Sequence, residues 1–202
     1  MTLARRLGDL GTATICEAAP AAQLIDAPIR PLAPDMRVAG PARTVRCLPG
    51  DNLALHRAIA AAGQGEVLVV DYRASTESGP FGEIMALACQ MRGIAGLVID
   101  GAVRDSAQIV ALGFPVFARG LNIRGTVKAD PGELDVSLRL GGARITPGDV
   151  VVADADAVIV VPADTVEEAA RAAEARAEAE ARMMDRLRAG ETTMQILGLE
   201  GR

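Results

Sequence analysis

Gly79-Pro80-Phe81-Gly82-Glu83 and Leu97-Val98-Ile99-Asp100-Gly101-Ala102-Val103-Arg104-Asp105 bracket the stretch whose reading decides the fold. The spacing predicts a glycine-rich loop, a helix over Ile84–Arg92, a buried strand over Ala95–Ile99 and a polar turn. Four charged side chains fall at its ends: Glu83 where the helix begins, and Asp100, Arg104 and Asp105 after the strand. A loop feeding a helix start leaves backbone N–H groups free for an anion. An Arg-Asp pair after a strand end offers a guanidinium and a carboxylate side by side. If the two ends meet, they make a site for a carboxylate substrate and a hard metal ion.

Upstream, Glu66–Asp71 is a near-continuous apolar run, as in a strand covered on both faces. Leu53–Ala62 reads as a helix, capped by Asp51 or Asn52 and carrying His56, the one histidine. Val38–Cys47 reads as a strand with a glycine bend. Leu3–Ala19 looks helical with an interruption at Thr12–Ala13–Thr14, and Glu17 lies on it.

Downstream, Ser106–Leu112 is a short helix, Phe114–Gly120 a short strand, and 125–161 a run of strands and turns, with strands at Thr126-Val127, Leu134–Leu140 and Arg144-Ile145. Asp164 opens a long Ala/Glu/Arg helix that Gly190 ends. The strand–helix–strand order predicts parallel strands, and the later run a mostly antiparallel second layer. Nothing within 1–165 has linker composition, so 1–202 reads as one α/β domain with a projecting C-terminal helix, about 164–189. Met183, Met184 and Leu187 give that helix an apolar stripe that needs a partner, which predicts an oligomer.

The 202 residues are 50% hydrophobic but only 2% aromatic, so Val, Ile, Leu and Ala must build the core. A net charge of −5 without a basic run argues against nucleic acid and anionic membranes. Three scattered cysteines give no zinc spacing and no disulfide framework, which suits a reducing cytoplasm. No secretory signal or membrane-spanning run is predicted.

The motifs carry competing readings. Arg104-Asp105 is either a surface turn capping the next helix, or a clamp in which Arg104 grips a carboxylate and Asp105 ligates Mg²⁺ or Mn²⁺. Glu83 is either a favourable anion in a first helical turn or a carboxylate holding metal-bound waters. His56 has no Cys or second His to make a triad or a zinc site. Asp149, Asp154 and Asp156 read as turn residues. Neither dinucleotide nor P-loop glycine signatures occur.

Asp51-Asn52-Leu53-x-x-His56, Gly79-x-x-Gly82-Glu83, Ile99 to Asp105, Phe114 to Gly120, Pro147-Gly148-Asp149 and Val158 to Pro162 occur in an order that resembles a known family. It is the family of 4-hydroxy-4-methyl-2-oxoglutarate aldolase and the regulator of ribonuclease E activity A. The resemblance covers nearly the whole chain and implies a layered α/β/β/α sandwich of the swivelling-domain type, assembled as a trimer or a dimer of trimers. It implies a metal-dependent class II pyruvate aldolase acting on a 4-hydroxy-2-oxo acid, with oxaloacetate decarboxylase activity. The alternative it carries is a non-catalytic regulator that binds and inhibits an RNA-degradation enzyme. A menaquinone methyltransferase, a third label used for such chains, would need a glycine-rich S-adenosylmethionine loop after the first strand, which is missing.

By that resemblance, an acidic residue, twenty intervening residues and Arg-Asp form the site, and Glu83 with Arg104-Asp105 keeps that spacing. Arg104 and Glu83 would be catalytic. Gly79, Pro80, Phe81, Gly82 and Arg104 would bind the pyruvyl group, the loop through its amides. Asp105 would hold Mg²⁺ or Mn²⁺, with Glu83 in the outer shell. A glutamate from a neighbouring subunit's C-terminal helix would complete it, Glu180 matching best and Glu178 next. Glu17 and Glu83 stand where the family's aldolases carry Asp.

Overall fold

The computed structural model describes residues 2–201. Two short helices open it, α1 (Leu3–Leu10) and α2 (Thr12–Ala18), then the two-residue strands β1 (Gln23–Leu24) and β2 (Arg30–Pro31). The middle alternates: β3 (Val38–Arg46), α3 (Leu53–Ala61), β4 (Val67–Asp71), α4 (Glu83–Met91), β5 (Gly96–Val103), α5 (Ser106–Leu112) and β6 (Val116–Leu121). Next come β7 (Glu133–Leu134), β8 (Leu138–Leu140), β9 (Ala143–Ile145), β10 (Val150–Ala153) and β11 (Val158–Val161). The helices α6 (Val166–Arg188) and α7 (Thr193–Leu197) follow.

One curled sheet runs β1-β11-β10-β3-β4-β5-β6-β2, and β3 is its hinge. Val38–Pro41 of β3 pairs antiparallel with β10, whereas Ala42–Arg46 pairs parallel with β4. The change falls at Pro41, whose missing N–H weakens a continuous ladder. The parallel strands β3, β4, β5 and β6 are linked by α3, α4 and α5. β4 and most of β5 are buried apolar residues, as a strand covered on both faces requires.

The core has three parts that define the layers. Leu55, Ile59, Phe81, Met85 and Ile109 pack α3–α5 on the parallel half of the sheet. Val69, Val98, Phe117, Val151 and Val160 fill the space between its two halves. Leu7, Ile15, Ile159, Val166 and Ala170 pack α1, α2 and α6 on the antiparallel half. The order is helices, sheet, sheet, helices, in agreement with the α/β/β/α expectation. Tyr72, Phe81, Phe114 and Phe117, all the aromatic residues, are buried.

Several local expectations need correction. β5 continues four residues beyond Ile99, so Asp100 does not sit in a polar turn; it is buried and ion-paired with Arg119. The break in the N-terminal helix falls at Gly11, in the left-handed region at φ 82°, rather than within Thr12–Thr14. Leu134–Leu140 is not one strand, because Asp135 turns at φ 56° and divides β7 from β8. Thr126-Val127 makes only a single bridge, to Asp51. The helix α7, with Thr192 and Gln195 in a capping box, has no sequence expectation behind it.

The long helix spans 23 residues, about 34 Å at 1.5 Å per residue. Its buried residues, Val166, Ala169, Ala170 and Ala173, all lie in its first two turns. Beyond them Met183, Met184 and Leu187 are exposed, so the helix projects. Gly190 ends it at φ 98°, with the Glu191 N–H bonded to Arg186 and the Gly190 N–H to Leu187. Among the described residues no helix is long and apolar enough to cross a membrane.

Asp154, in the turn between β10 and β11, ties that turn to α2. Its carboxylate accepts from Thr12 N (2.8 Å), Thr12 Oγ1 (2.7 Å), Asp156 N (3.0 Å) and Ala157 N (3.3 Å). Burial alone would raise its pKa, but these hydrogen bonds outweigh it and hold the group below the ordinary 3.8. A depressed folded value means stabilisation that is present above the unfolded value and lost as pH falls through the folded one. Asp154→Ala should therefore cost about 1–3 kcal/mol at neutral pH, read by urea denaturation. The gap to the wild type should narrow below about pH 3.8.

Candidate functional site

The carboxyl ends of parallel strands are where open α/β sheets bind ligands. Two segments converge there. One is the loop that follows β4 and leads into α4; the other is Arg104-Asp105, directly after β5. The Arg104 N–H donates to the Phe81 carbonyl (2.9 Å), and the Glu83 N–H donates to Asp105 Oδ2 (3.1 Å). The two ends of the stretch thus meet, which the sequence alone leaves as a condition. Asp105 occupies the N-cap position of α5, at φ 56°, yet makes no cap bond to that helix. Its carboxylate is used across the gap instead, on the first residue of α4.

The contact demands glycine. A Cβ on Gly82 would lie 2.4 Å from Asp105 Oδ2 and 3.0 Å from Arg104 Cγ. A Cβ on Gly79 would lie 2.1 Å from the Asn122 carbonyl oxygen and 3.1 Å from Arg104 Cβ. The loop is held from behind as well. The Phe81 ring packs in the core against Phe114, centroids 6.2 Å apart, and the residue is fully buried. Ser78 Oγ is 3.0 Å from the buried Tyr72 hydroxyl, and the Gly79 N–H donates to Arg124 O (2.9 Å).

What remains unengaged defines the chemistry. Among the described residues, the Phe81 and Gly82 N–H groups donate to nothing, and neither does the Arg104 guanidinium. Arg104 Nε stands 3.8 Å from Asp105 Oδ2, with both side chains about 40% exposed. Asp105 Oδ1 and the exposed Glu83 carboxylate have no protein partner there either. Phe81 and Gly82 are themselves buried, so what the surface presents here is the Arg104 guanidinium with the Asp105 and Glu83 carboxylates beside it.

No group of three or more His, Cys, Asp or Glu that could cage a metal occurs among the described residues. Mg²⁺ and Mn²⁺ do not need one, since they retain several waters and take one or two carboxylates. A free Asp105 oxygen, with the Glu83 backbone bonded to the other oxygen of the same carboxylate, fits that demand, and does not fit zinc.

The other candidates lie elsewhere. Glu17 and Glu180 both pair with Arg176, the latter at 2.8 Å, on the α2/α6 layer at the far side of the sheet. Glu178 is 3.9 Å from Arg182 on the exposed part of α6. Within one chain neither glutamate joins Arg104. His56 is exposed on α3, and partial burial, with the charge of Lys128, lowers its pKa. Burial pushes the Cys47 and Cys89 thiols up to about 12, so neither is a nucleophile. The hollow of about 200 Å³ between α2 and α6, lined by Ala18, Pro20, Glu168 and Ala172, holds a single carboxylate and no reactive cluster. Sequence reading missed Asn52, treated there as a helix cap, whose side chain instead donates to Pro80 O in the loop.

A curled mixed sheet with a glycine loop docked on an Arg-Asp pair defines a known class. Residues 12–160 match the RraA-like model, described as Aldolase/RraA, and the chain belongs to that family. A protein of Halalkalibacterium halodurans provisionally named 4-hydroxy-4-methyl-2-oxoglutarate aldolase is 42% identical over 134 residues. The match covers 66% of this chain and 64% of that relative's length. A Geobacillus kaustophilus structure titled S-adenosylmethionine:2-dimethylmenaquinone methyltransferase superposes with TM-score 0.72 at 35% identity, covering 75% of this chain and 94% of that one. The RNA-processing inhibitor RraA from Thermus thermophilis gives TM-score 0.70 at 28% identity, covering 75% and 92%.

Gly82 has φ −145°, which any residue adopts, so Gly82→Ala tests the close approach alone. It should keep the fold, cost about 1–3 kcal/mol in denaturant unfolding, and move the Asp105 carboxylate off the Glu83 N–H in a crystal structure. An undisplaced carboxylate at unchanged stability would contradict this packing.

Proposed function

We propose that this protein is a divalent-metal-dependent class II pyruvate aldolase of a 4-hydroxy-2-oxo acid, of the 4-hydroxy-4-methyl-2-oxoglutarate type, which also decarboxylates oxaloacetate. The observation that carries the reading is the seam that sets Arg104 and Asp105, both about 40% exposed, against the start of α4 at Gly82-Glu83, with Asp105 Oδ1 free. A module that only binds another protein has no need of an exposed guanidinium and a free carboxylate oxygen held side by side at a strand end. The family and the provisional aldolase name of the halophile relative support it. The inhibitor named among the solved relatives keeps the regulator as the second reading.

In the proposed reaction Arg104 binds the pyruvyl carboxylate and keto oxygen. Asp105 Oδ1 would hold Mg²⁺ or Mn²⁺, which when bound supplies Lewis-acid polarisation of the keto group. The C3–C4 bond breaks, its electron pair passes into the pyruvyl fragment, and negative charge grows on the keto oxygen. The Arg104 guanidinium, permanently charged, would stabilise that oxygen as its charge develops. Glu83, through a carboxylate oxygen, takes the proton that leaves the 4-hydroxyl as C4 becomes a carbonyl, and returns it to C3 to give pyruvate. In oxaloacetate the same electron flow releases carbon dioxide.

The site is open on one side, and the molecule carries apolar surface to close it. Ile84, Leu87 and Met91 form an exposed stripe on α4 at helical spacing, and Ile123 is 91% exposed. Patches of this kind mark protein contacts. We infer a homo-oligomer, a trimer or a dimer of trimers, in which Glu180 or Glu178 of a neighbouring copy faces Arg104. Such a protein works in the cytoplasm on a small 2-oxo acid.

Steady-state pyruvate release from oxaloacetate with Mg²⁺ tests the proposal. Activity should disappear with a chelator, return with Mg²⁺ or Mn²⁺, and fall about 100-fold or more in Arg104→Ala. Metal-independent release, or an Arg104→Ala variant as active as the wild type, would sink it.

A further inference from the structure

The Arg104 guanidinium has two ends. Its Nε stands 3.8 Å from Asp105 Oδ2, on the side of the proposed metal and pyruvyl group. Its Nη1 meets the loop that follows β6, where a Cβ on Gly125 would lie 3.9 Å from it. A 2-oxo acid lying along Arg104, with its pyruvyl part at Asp105, extends its remaining carbons toward that loop. The next residue back along the chain from Gly125, one step of about 3.8 Å between Cα atoms, is a second arginine, Arg124.

The backbone of this loop is tied down on both sides. The Asn122 N–H donates to the Val103 carbonyl (3.0 Å), directly before Arg104. The Asn122 side chain donates to Thr76 O (2.7 Å) and accepts the Arg124 N–H (2.8 Å). The Arg124 carbonyl accepts the Gly79 N–H (2.9 Å). The Arg124 side chain is held far less firmly. It is 71% exposed, with Nη1 3.3 Å from the Glu77 carbonyl and 3.6 Å from a Glu77 carboxylate that is itself 85% exposed. Water screens such a pair, and two long side chains lose freedom to keep it, so it contributes little. A carboxylate that meets the guanidinium squarely, with two parallel hydrogen bonds, displaces Glu77.

We propose that Arg124 is a specificity-determining residue, which exchanges Glu77 for the second carboxylate of a dicarboxylic 2-oxo acid. This rests on the aldolase reading. In aldol cleavage that carboxylate keeps its charge throughout, so Arg124 holds ground and transition states alike and acts on KM. In oxaloacetate the same carboxylate leaves as neutral carbon dioxide. The C3–C4 bond breaks, its electron pair passes into the pyruvyl fragment, and the negative charge moves from the carboxylate to the keto oxygen. There Arg124 favours the ground state, which lowers KM without raising kcat.

The test compares wild type, Arg124→Ala, Arg124→Lys and Glu77→Gln, as full chains with Mg²⁺. The substrates are 4-hydroxy-4-methyl-2-oxoglutarate, oxaloacetate, and 4-hydroxy-2-oxopentanoate, which lacks the second carboxylate. Thermal unfolding is followed alongside. Arg124→Ala should lower the ratio of kcat/KM for the dicarboxylic over the monocarboxylic aldol substrate about tenfold, and Arg124→Lys should restore part of it. On oxaloacetate Arg124→Ala should raise KM and leave kcat equal or higher. Glu77→Gln, which removes the competing carboxylate, should lower KM for both dicarboxylates about twofold. A defect of folding or of loop position would weaken both aldol substrates alike and leave their ratio unmoved. An unchanged ratio in a folded Arg124→Ala, or a fall in its kcat on oxaloacetate, overturns the assignment. Should Arg124→Ala not fold, an unchanged KM in Glu77→Gln overturns it. A wild type inactive on all three substrates overturns the aldolase reading and this assignment together, whereas an active wild type with an unmoved ratio in the variants overturns this assignment alone.

Discussion

Two hydrogen bonds join the end of β5 to the start of α4: Arg104 N–H to the Phe81 carbonyl, and Glu83 N–H to Asp105 Oδ2. The site depends on this seam. It requires glycine at 82, where any side-chain carbon would strike the Asp105 carboxylate. It requires Phe81 to anchor in the core, so that the backbone beside it is rigid. It also places Asp105 at a positive φ without a cap bond, a local cost that neighbouring structure must sustain. In return the Arg104 guanidinium, 3.8 Å from Asp105 Oδ2, and the free Asp105 Oδ1 stand part-exposed at the end of β5.

The layered core makes that seam possible. Parallel pairing of β4 with β5 delivers both loops to the same edge of the sheet. The switch of β3 from one partner geometry to another lets a single strand serve two halves. α3–α5 cover the half that bears the site, and α1, α2 and α6 cover the other. The glutamates on α2 and α6 therefore belong to the opposite outer layer, and only another copy of the chain can present them to Arg104. The exposed stripe of Ile84, Leu87 and Met91, starting beside Glu83, is the surface against which we expect such a copy to sit.

Much of this was legible in the residues. The apolar run Val67–Val70 and the sequence Leu97–Ile99 could only be buried strands, and the Glu83 to Arg104-Asp105 spacing singled out two segments that do meet. What escaped was set by tertiary context. Asp100 looks like a turn residue because it is charged and precedes glycine, but Arg119 on the neighbouring strand neutralises it inside the sheet. Asn52 and Asp105 both look like helix caps, since local sequence makes that the nearest use of an Asx side chain. Each serves a segment more than 20 residues away, at distances of 2.8 Å and 3.1 Å, and only folding reveals it. The division of Leu134–Leu140 at Asp135 depends on a left-handed turn that the residue type permits without requiring.

The central claim is that Asp105 and Arg104 form one binding centre for a metal and a 2-oxo acid. The most direct measurement is a crystal structure with Mn²⁺ and oxalate, an unreactive mimic of the pyruvyl enolate, using anomalous scattering to locate the metal. The account predicts a manganese peak coordinated by Asp105 Oδ1 and mostly by water, with an oxalate carboxylate on Arg104. A peak held by other residues, or oxalate bound away from Arg104, would contradict it.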